Sequence, residues 1–245
     1  MTLDPERWAL FIDVDGTLVD VAPTPDAVFV PRALLRTLQG IVEVFGGAVA
    51  VNTGRRIADV DRLFAPLQLV IAGVHGTEVR TVPGGEIRRM APPASRELVQ
   101  AITDMTRIAD GVLVEDKGAG FAVHYRKVPA ARAALERELG RILDGCKTLE
   151  LRPGANVLEV LPTGYSKGAA LALLMHLPPF RGRRPLVIGD DRGDEPALAE
   201  AQRLGGIGMK VGGEHFCADD ADFHDPKAVR EWLARLSHGH RFPRP

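Results

Sequence analysis

The apolar run Ala9-Leu10-Phe11-Ile12 ends on two carboxylates, Asp13 and Asp15, with one valine between them and the turn Gly16-Thr17 directly after. Such a run, bounded by turn residues, reads as a buried strand. Alternate residues share a face of a strand, so Asp13 and Asp15 can converge on one small volume where the chain leaves the sheet. Two acids so close repel unless a cation sits between them, and Mg²⁺ commonly joins carboxylates to substrate phosphate oxygens. The same residues also suit a plain solvated turn, because Asp and Gly are turn formers.

The pattern repeats downstream. Residues 32–45 carry Leu34, Leu35, Leu38, Ile41, Val42 and Phe45 at helical spacing and stop at Gly46-Gly47. A second apolar run, Ala48-Val49-Ala50-Val51, leads into Asn52-Thr53-Gly54-Arg55-Arg56. Helix is expected at 57–64 and strand at 68–72, closing on the turn Gly73-Val74-His75-Gly76. The loop at 19–31, with three prolines, is expected on the surface.

From about residue 83 the style changes. Helix is expected at 94–109, strands at 111–117 and 121–127, helix at 130–143, and strands at 147–152 and 156–161. Two successive α-β-β units would build a four-stranded antiparallel sheet backed by two helices. The α/β pattern then resumes with a helix from Ser166-Lys167-Gly168, a third buried strand Pro185-Leu186-Val187-Ile188-Gly189, and the acidic run Asp190-Asp191-Arg192-Gly193-Asp194-Glu195. A helix near 196–202, a strand at 207–211 and a helix near 227–236 complete it, and 237–245 reads as a loose tail. The domains expected are therefore a core of residues 1–82 and 162–245 and an insert of 83–161.

Composition narrows the partners. The 245 residues hold 31 basic and 32 acidic side chains, a formal net charge of -1, which favours neither nucleic acid nor an anionic membrane. Cys146 and Cys217 stand far apart without C-x-x-C spacing, against a disulfide framework or a thiolate zinc site. The first residues carry charges of both signs and no apolar signal core, and no run approaches a membrane-spanning length, so a cytoplasmic protein is expected.

In an open parallel sheet, ligands bind outside the carboxyl ends of the strands. Asp13, Asp15, Thr53 and Asp190 can meet there, with Lys167 joining from the start of its helix, where ammonium and helix dipole both favour an anion. Such an assembly suits phosphoryl transfer: one Asp attacks phosphorus, the other moves protons, Thr53 donates to a phosphoryl oxygen, and Lys167 with Mg²⁺ offsets the charge. The proton-moving role calls for an Asp15 of raised pKa. In the insert, Phe121, Val123 and Tyr125 share one strand face and His124 and Arg126 the other, Glu115 and Lys117 share a face, and Glu159 stands among apolar neighbours. That polar face looks either onto the crevice or into solvent.

Asp13-Val14-Asp15-Gly16-Thr17, Thr53-Gly54-Arg55, Lys167-Gly168 and Gly189-Asp190-Asp191-x-x-Asp194 resemble, together and in order, the four motifs of haloacid dehalogenase-type (HAD) phosphatases. The resemblance implies an α/β fold: a Rossmann-like doubly wound core with an inserted α/β cap of type C2, made of two αββ units. It implies Asp13 as nucleophile and Asp15 as general acid/base, with Mg²⁺ held by Asp13, the Asp15 carbonyl and Asp190, supported by Asp191 or Asp194. Gly54 and Arg55 would lie with the substrate.

Further stretches, Glu115-Asp116-Lys117-Gly118, His124-Tyr125-Arg126, Arg152-Pro153-Gly154, Leu158-Glu159-Val160 and Gly73-Val74-His75-Gly76, resemble trehalose-6-phosphate phosphatases. This implies that Glu115, Lys117, Arg126 and Glu159, with His75 and His124, bind sugar hydroxyls of a phosphorylated disaccharide. Gly193 stands where that family commonly has Thr, and Asn52-Thr53-Gly54-Arg55 replaces its usual Ser-Gly-Arg. The expected reaction is hydrolysis of trehalose 6-phosphate. Rivals are a phosphatase for sucrose 6-phosphate or mannosyl-3-phosphoglycerate, a phosphomutase, and a non-catalytic sugar-phosphate sensor. A monomer is favoured.

Overall fold

The computed structural model describes residues 4–24, 27–154 and 156–237. The expected tail beyond Ser237 therefore lies outside the described residues, as do residues 25–26 of the loop at 19–31 and residue 155 between the strands expected at 147–152 and 156–161. The chain forms β1 (Trp8–Ile12), α1 (Arg32–Val44), β2 (Val49–Asn52), α2 (Ile57–Phe64), β3 (Val70–Gly73), β4 (Glu78–Arg80) and β5 (Arg88–Arg89). Next come α3 (Arg96–Thr103), β6 (Leu113–Asp116), β7 (Phe121–His124), α4 (Arg132–Ile142), β8 (Leu149–Gly154) and β9 (Val157–Pro162). It closes with α5 (Lys167–Met175), β10 (Arg184–Gly189), α6 (Glu195–Arg203), β11 (Ile207–Lys210) and α7 (Pro226–Ser237).

Two compact units result, one comprising the chain up to Arg88 and from Ser166 onward, the other Arg89–Tyr165. Both divisions fall a few residues beyond 82 and 161. The first division falls at β5, which begins at Arg88 and ends the sheet order beside β4, and the second follows β9, which runs on to Pro162.

In the first unit the sheet order is β11-β10-β1-β2-β3-β4-β5. β1 lies inside the sheet, parallel to β10 and β2, with Ile12 opposite both Ile188 and Val51. Three chain segments thus leave the sheet at one level, each into polar sequence. Leu10 and Ile12 face the side covered by α1, α2 and α7, with Leu38, Ile57, Val60 and Trp232. Ala9 and Phe11 face α5 and α6, with Leu171, Leu174 and Ala197. Both faces are covered, so β1 can be apolar throughout; burying a side chain such as Phe11 or Ile12 is worth about 1.5–3 kcal/mol.

No element is expected from the sequence at β4, whose charged residues lie inside the fold. Arg80 is buried and forks onto Asp61 at 2.8 and 2.7 Å, and buried Glu78 accepts the N–H of Ile57 at 3.0 Å, capping α2. Paired in this way, charges are tolerated inside.

The second unit is an antiparallel sheet in the order β6-β7-β9-β8 with α3 and α4, two α-β-β units in sequence. Ile102, Leu135, Leu139, Phe121, Val123, Tyr125, Leu158 and Val160 form its core. Two expectations need correction. The helix at 94–109 is α only to Thr103 and continues as a 3₁₀ turn over Asp104–Arg107. The strand at 121–127 stops at His124, since the Val128 N–H closes a turn onto the Tyr125 carbonyl (2.9 Å) ahead of Pro129, so Arg126 lies on the turn rather than on the strand face. No helix among the described residues is long and apolar enough to cross a membrane.

Candidate active site

The residues beyond β1, β2 and β10 meet where the register predicts. Lys167 is the first residue of α5, whose N-cap Ser166 accepts the Ala169 N–H at 3.1 Å. Its buried ammonium donates to Asp13 Oδ1 and to Asp194 Oδ1, each at 2.7 Å. Asp194 Oδ2 accepts the N–H groups of Asp190 (3.1 Å) and Asp191 (3.2 Å), while Asp191 Oδ1 accepts the Asp194 N–H (3.1 Å). The acidic run is therefore a self-bonded loop clamped to the lysine. Gly16, at φ 80°, lets the β1 loop close onto it: a Cβ there would stand 2.1 Å from Asp190 Oδ2.

Two residues outside the expected set hold this arrangement. Thr17 Oγ1 donates to Asp190 Oδ1 (2.9 Å), joining the β1 loop to the β10 loop. Asn52 Nδ2 donates to the Lys167 carbonyl (2.9 Å), joining the end of β2 to the start of α5. Their signal in the sequence is position alone, since each is a polar residue close beyond an apolar strand run.

The acids are crowded. Asp13, Asp190 and Asp194 are buried and offer one oxygen apiece within 4.8 Å of one another. Burial is the main cause that raises the Asp13 pKa above its ordinary 3.8; Lys167 opposes it, and Asp191 and Asp15 add to it. Asp190 is pushed up to about 8 by burial and then by the charges of Asp13 and Asp191. Asp194 is raised well above 3.8, again chiefly by burial against the pull of Lys167. For Lys167 burial lowers the pKa, but Asp13, Asp194 and Asp191 together carry it well above 10.5. Three ionised carboxylates with one ammonium leave two negative charges uncompensated, a deficit that fits one divalent cation. Oδ2 of Asp13 and Oδ2 of Asp190 are the oxygens not engaged by Lys167 or Thr17.

Asp15 is held apart from this group. Arg55 forks onto it, Nε to Oδ2 at 2.6 Å and Nη2 to Oδ1 at 2.7 Å. The arginine expected at the substrate thus grips the second aspartate. Thr53 is buried, with its Oγ1 accepting the Arg55 N–H at 3.2 Å around Gly54. His75 is buried in the same unit, on the turn after β3.

Of the remaining expected residues, Glu115, Lys117, His124 and Glu159 come together on one face of the second unit's sheet. Ala122 lies in register with Glu115 on one side and Glu159 on the other, so only a methyl separates the two carboxylates. The Lys117 ammonium is 3.4 Å from Glu159 and 4.0 Å from Glu115, and His124 Nε2 is 3.1 Å from Glu115 Oε2. Arg126 is half-buried on the turn beyond β7.

Known proteins share this architecture. The solved C-terminal domain of the C. albicans trehalose-6-phosphate phosphatase superposes with a TM-score of 0.80 at 20% identity, covering 95% of this chain and 92% of that one. A haloacid dehalogenase-like hydrolase from Bacteroides thetaiotaomicron gives 0.66 at 17% identity, covering 94% and 99%. The fold is thus the HAD type with an inserted α/β unit. In sequence, the chain is 41% identical over 214 residues to a probable trehalose-phosphate phosphatase of Sinorhizobium fredii, covering 86% of this chain and 80% of the relative. It is 37% identical over 216 residues to the trehalose-6-phosphate phosphatase of Escherichia coli, covering 86% and 81%. The family model for trehalose-phosphatase matches residues 11–222, which include Asp13, Thr53, Lys167 and the acidic run at 190–194, and the chain belongs to that family.

Proposed function

We propose that this chain hydrolyses trehalose 6-phosphate to trehalose and phosphate through a phosphoryl group carried on Asp13. The observation that carries the reading is the buried Lys167 between Asp13 and Asp194, which holds the Asp13 carboxylate beside a cation at the end of the central strand. An anionic nucleophile approaching an anionic phosphoryl group needs that charge offset.

In this reading an Asp13 oxygen attacks phosphorus in line, a new P–O bond forms, and the bond to the sugar oxygen breaks. Asp15 gives a proton to the departing oxygen and then takes one from the water that releases phosphate. The fork from Arg55 occupies both Asp15 oxygens, so Arg55 must let go of at least one before Asp15 reaches the leaving oxygen. Thr53, Gly54 and Lys167 hold the phosphoryl oxygens. The acid cluster fits Mg²⁺, with Asp13, Asp190 and the Asp15 carbonyl as ligands and Asp194 and Asp191 as loop supports. Bound there, the ion would neutralise charge on the transferring group.

Two results test the metal. Chelation with EDTA should abolish phosphate release and Mg²⁺ should restore it; indifference to chelator would remove the ion from the account. The second readout is stability. Asp190 binds a proton in the folded protein up to pH of about 8, whereas an ordinary carboxyl releases it near 3.8, so metal-free protein should lose stability as pH rises between those values. The raised Asp13 and Asp194 act with the same sign. Mg²⁺ should therefore raise Tm more at pH 8 than at pH 5. An equal or reversed difference would contradict the assignment.

The sugar falls to the second unit. Carboxylates and an ammonium suit vicinal hydroxyls, each of which both donates and accepts, and Glu115, Lys117 and Glu159 form such a set. Glu115→Ala should raise KM for the disaccharide phosphate about tenfold or more while leaving a generic aryl phosphate within about twofold, the loss of a charged hydrogen bond being worth about 1.5–3 kcal/mol. Equal effects on both substrates would place sugar recognition elsewhere.

A further inference from the structure

The turn Gly73-Val74-His75-Gly76 has no part in the phosphoryl chemistry above, yet its backbone is unusual. Val74 and His75, both buried, have φ of 45° and 53°; among the described residues only Asn156 joins them as a non-glycine residue with positive φ. Two adjacent left-handed residues, one of them β-branched, persist only where the surroundings over-determine them.

Their partners are the other motifs. The Val74 N–H donates to the Arg55 carbonyl (2.9 Å) and the His75 N–H to the Thr53 carbonyl (3.1 Å), so consecutive amides hold both neighbours of Gly54. Gly76 abuts the first turn of α5, where a Cβ would stand 2.9 Å from Ala170 Cβ and 3.3 Å from the Ser166 carbonyl. The His75 ring reaches the acidic loop: a Cβ on Gly193 would stand 3.3 Å from His75 Cε1 and 3.1 Å from Asp191 Oδ1. One turn therefore touches the segments that carry Thr53, Lys167 and Asp190.

We infer that His75 is a positioning residue: its amide, beside that of Val74, grips the Thr53–Arg55 segment while its imidazole seats the 190–194 loop against the same turn. In this left-handed conformation the amide meets Thr53 while the ring lies beside Gly193, which gives the strain a use. For its activity readout the inference rests on the phosphatase reading, but its structural readout does not.

The test is His75→Asn in the full chain. Asparagine tolerates the left-handed region, so the backbone grip is kept and the ring is lost. The expected result is a fall in kcat of about tenfold for trehalose 6-phosphate and an aryl phosphate alike, with KM within about twofold, as for other residues that act through a metal ligand's support. In metal-free protein, amide exchange over 190–194 should quicken while exchange in β1 and β10 stays unchanged. In the wild type, the Val74 and His75 amides should exchange as slowly as sheet amides, a measurement that needs no variant to fold. Unchanged exchange at 190–194, loop-like exchange at 74–75, or a KM increase for the disaccharide alone would overturn the inference, the last by making His75 a sugar contact. If exchange responds as stated but the wild type releases no phosphate, the positioning role stands and the phosphatase reading falls.

Discussion

Asp13→Asn should lose at least about 10⁴-fold in kcat, equivalent to about 5.5 kcal/mol of transition-state stabilisation, while the fold stays intact. An amide oxygen is a far poorer nucleophile than a carboxylate, and Asp194 and Asp15 are not placed to substitute: both Asp194 oxygens are bonded to Lys167 and to backbone N–H groups, and both Asp15 oxygens to Arg55. The substitution also removes one charge from a crowded acid cluster whose burial already disfavours ionisation. Metal-free Asp13→Asn should therefore be no less stable than wild type at pH 8, as thermal melting would check. Rapid quenching should trap a phosphoryl group on the wild-type chain and none on the variant. Substantial residual turnover would remove Asp13 as the nucleophile.

Lys167→Met has the second largest expected effect, and it acts on activity and stability together. The ammonium is almost wholly buried, with partners at 2.7 Å on both sides, so methionine leaves Asp13 and Asp194 facing each other without a cation. Removing one member of a buried ion pair destabilises by about 3–5 kcal/mol. Here the acids have an escape, because they can take up protons, so the deficit should be greatest at pH 8 and shrink toward pH 5. Turnover should fall by at least about 10³-fold, since the cation that offsets the phosphoryl charge is lost. Denaturant titration at the two pH values measures the first effect and phosphate release the second. A variant equally stable at both, or one retaining turnover, would show that Lys167 does not hold the acid pair.

The strand ends were legible in the sequence because parallel strands buried on both faces have to be apolar runs, and polar residues directly beyond them have one place to go. That reasoning locates Asp13, Thr53 and Asp190, and helical spacing locates Lys167 at the start of α5. What stayed hidden depends on partners far away in the chain. The fork of Arg55 onto Asp15, 40 residues apart, could not be told from a surface arginine at a helix start. β4 was missed because its charges are paired inside the fold, and Thr17 and Asn52 because their roles consist of bonds to Asp190 and Lys167. Strand alternation anticipated the face shared by Glu115, Lys117, His124 and Glu159, but it carried Arg126 too far, since the turn closed by Tyr125 and Val128 leaves no periodic trace. The left-handed Val74-His75 pair was equally silent, as neither residue type favours that conformation enough to signal it.

The central claim is that this chain releases phosphate from one phosphorylated disaccharide. It is tested most directly by phosphate release with Mg²⁺ from a panel holding trehalose 6-phosphate, sucrose 6-phosphate, mannosyl-3-phosphoglycerate and an aryl phosphate. The account predicts kcat/KM for trehalose 6-phosphate at least about 100-fold above each of the others, the discrimination expected when buried polar groups are left unpaired by the wrong sugar. Equal or faster release from another member, or a sugar-phosphate isomer formed without free phosphate, would contradict it.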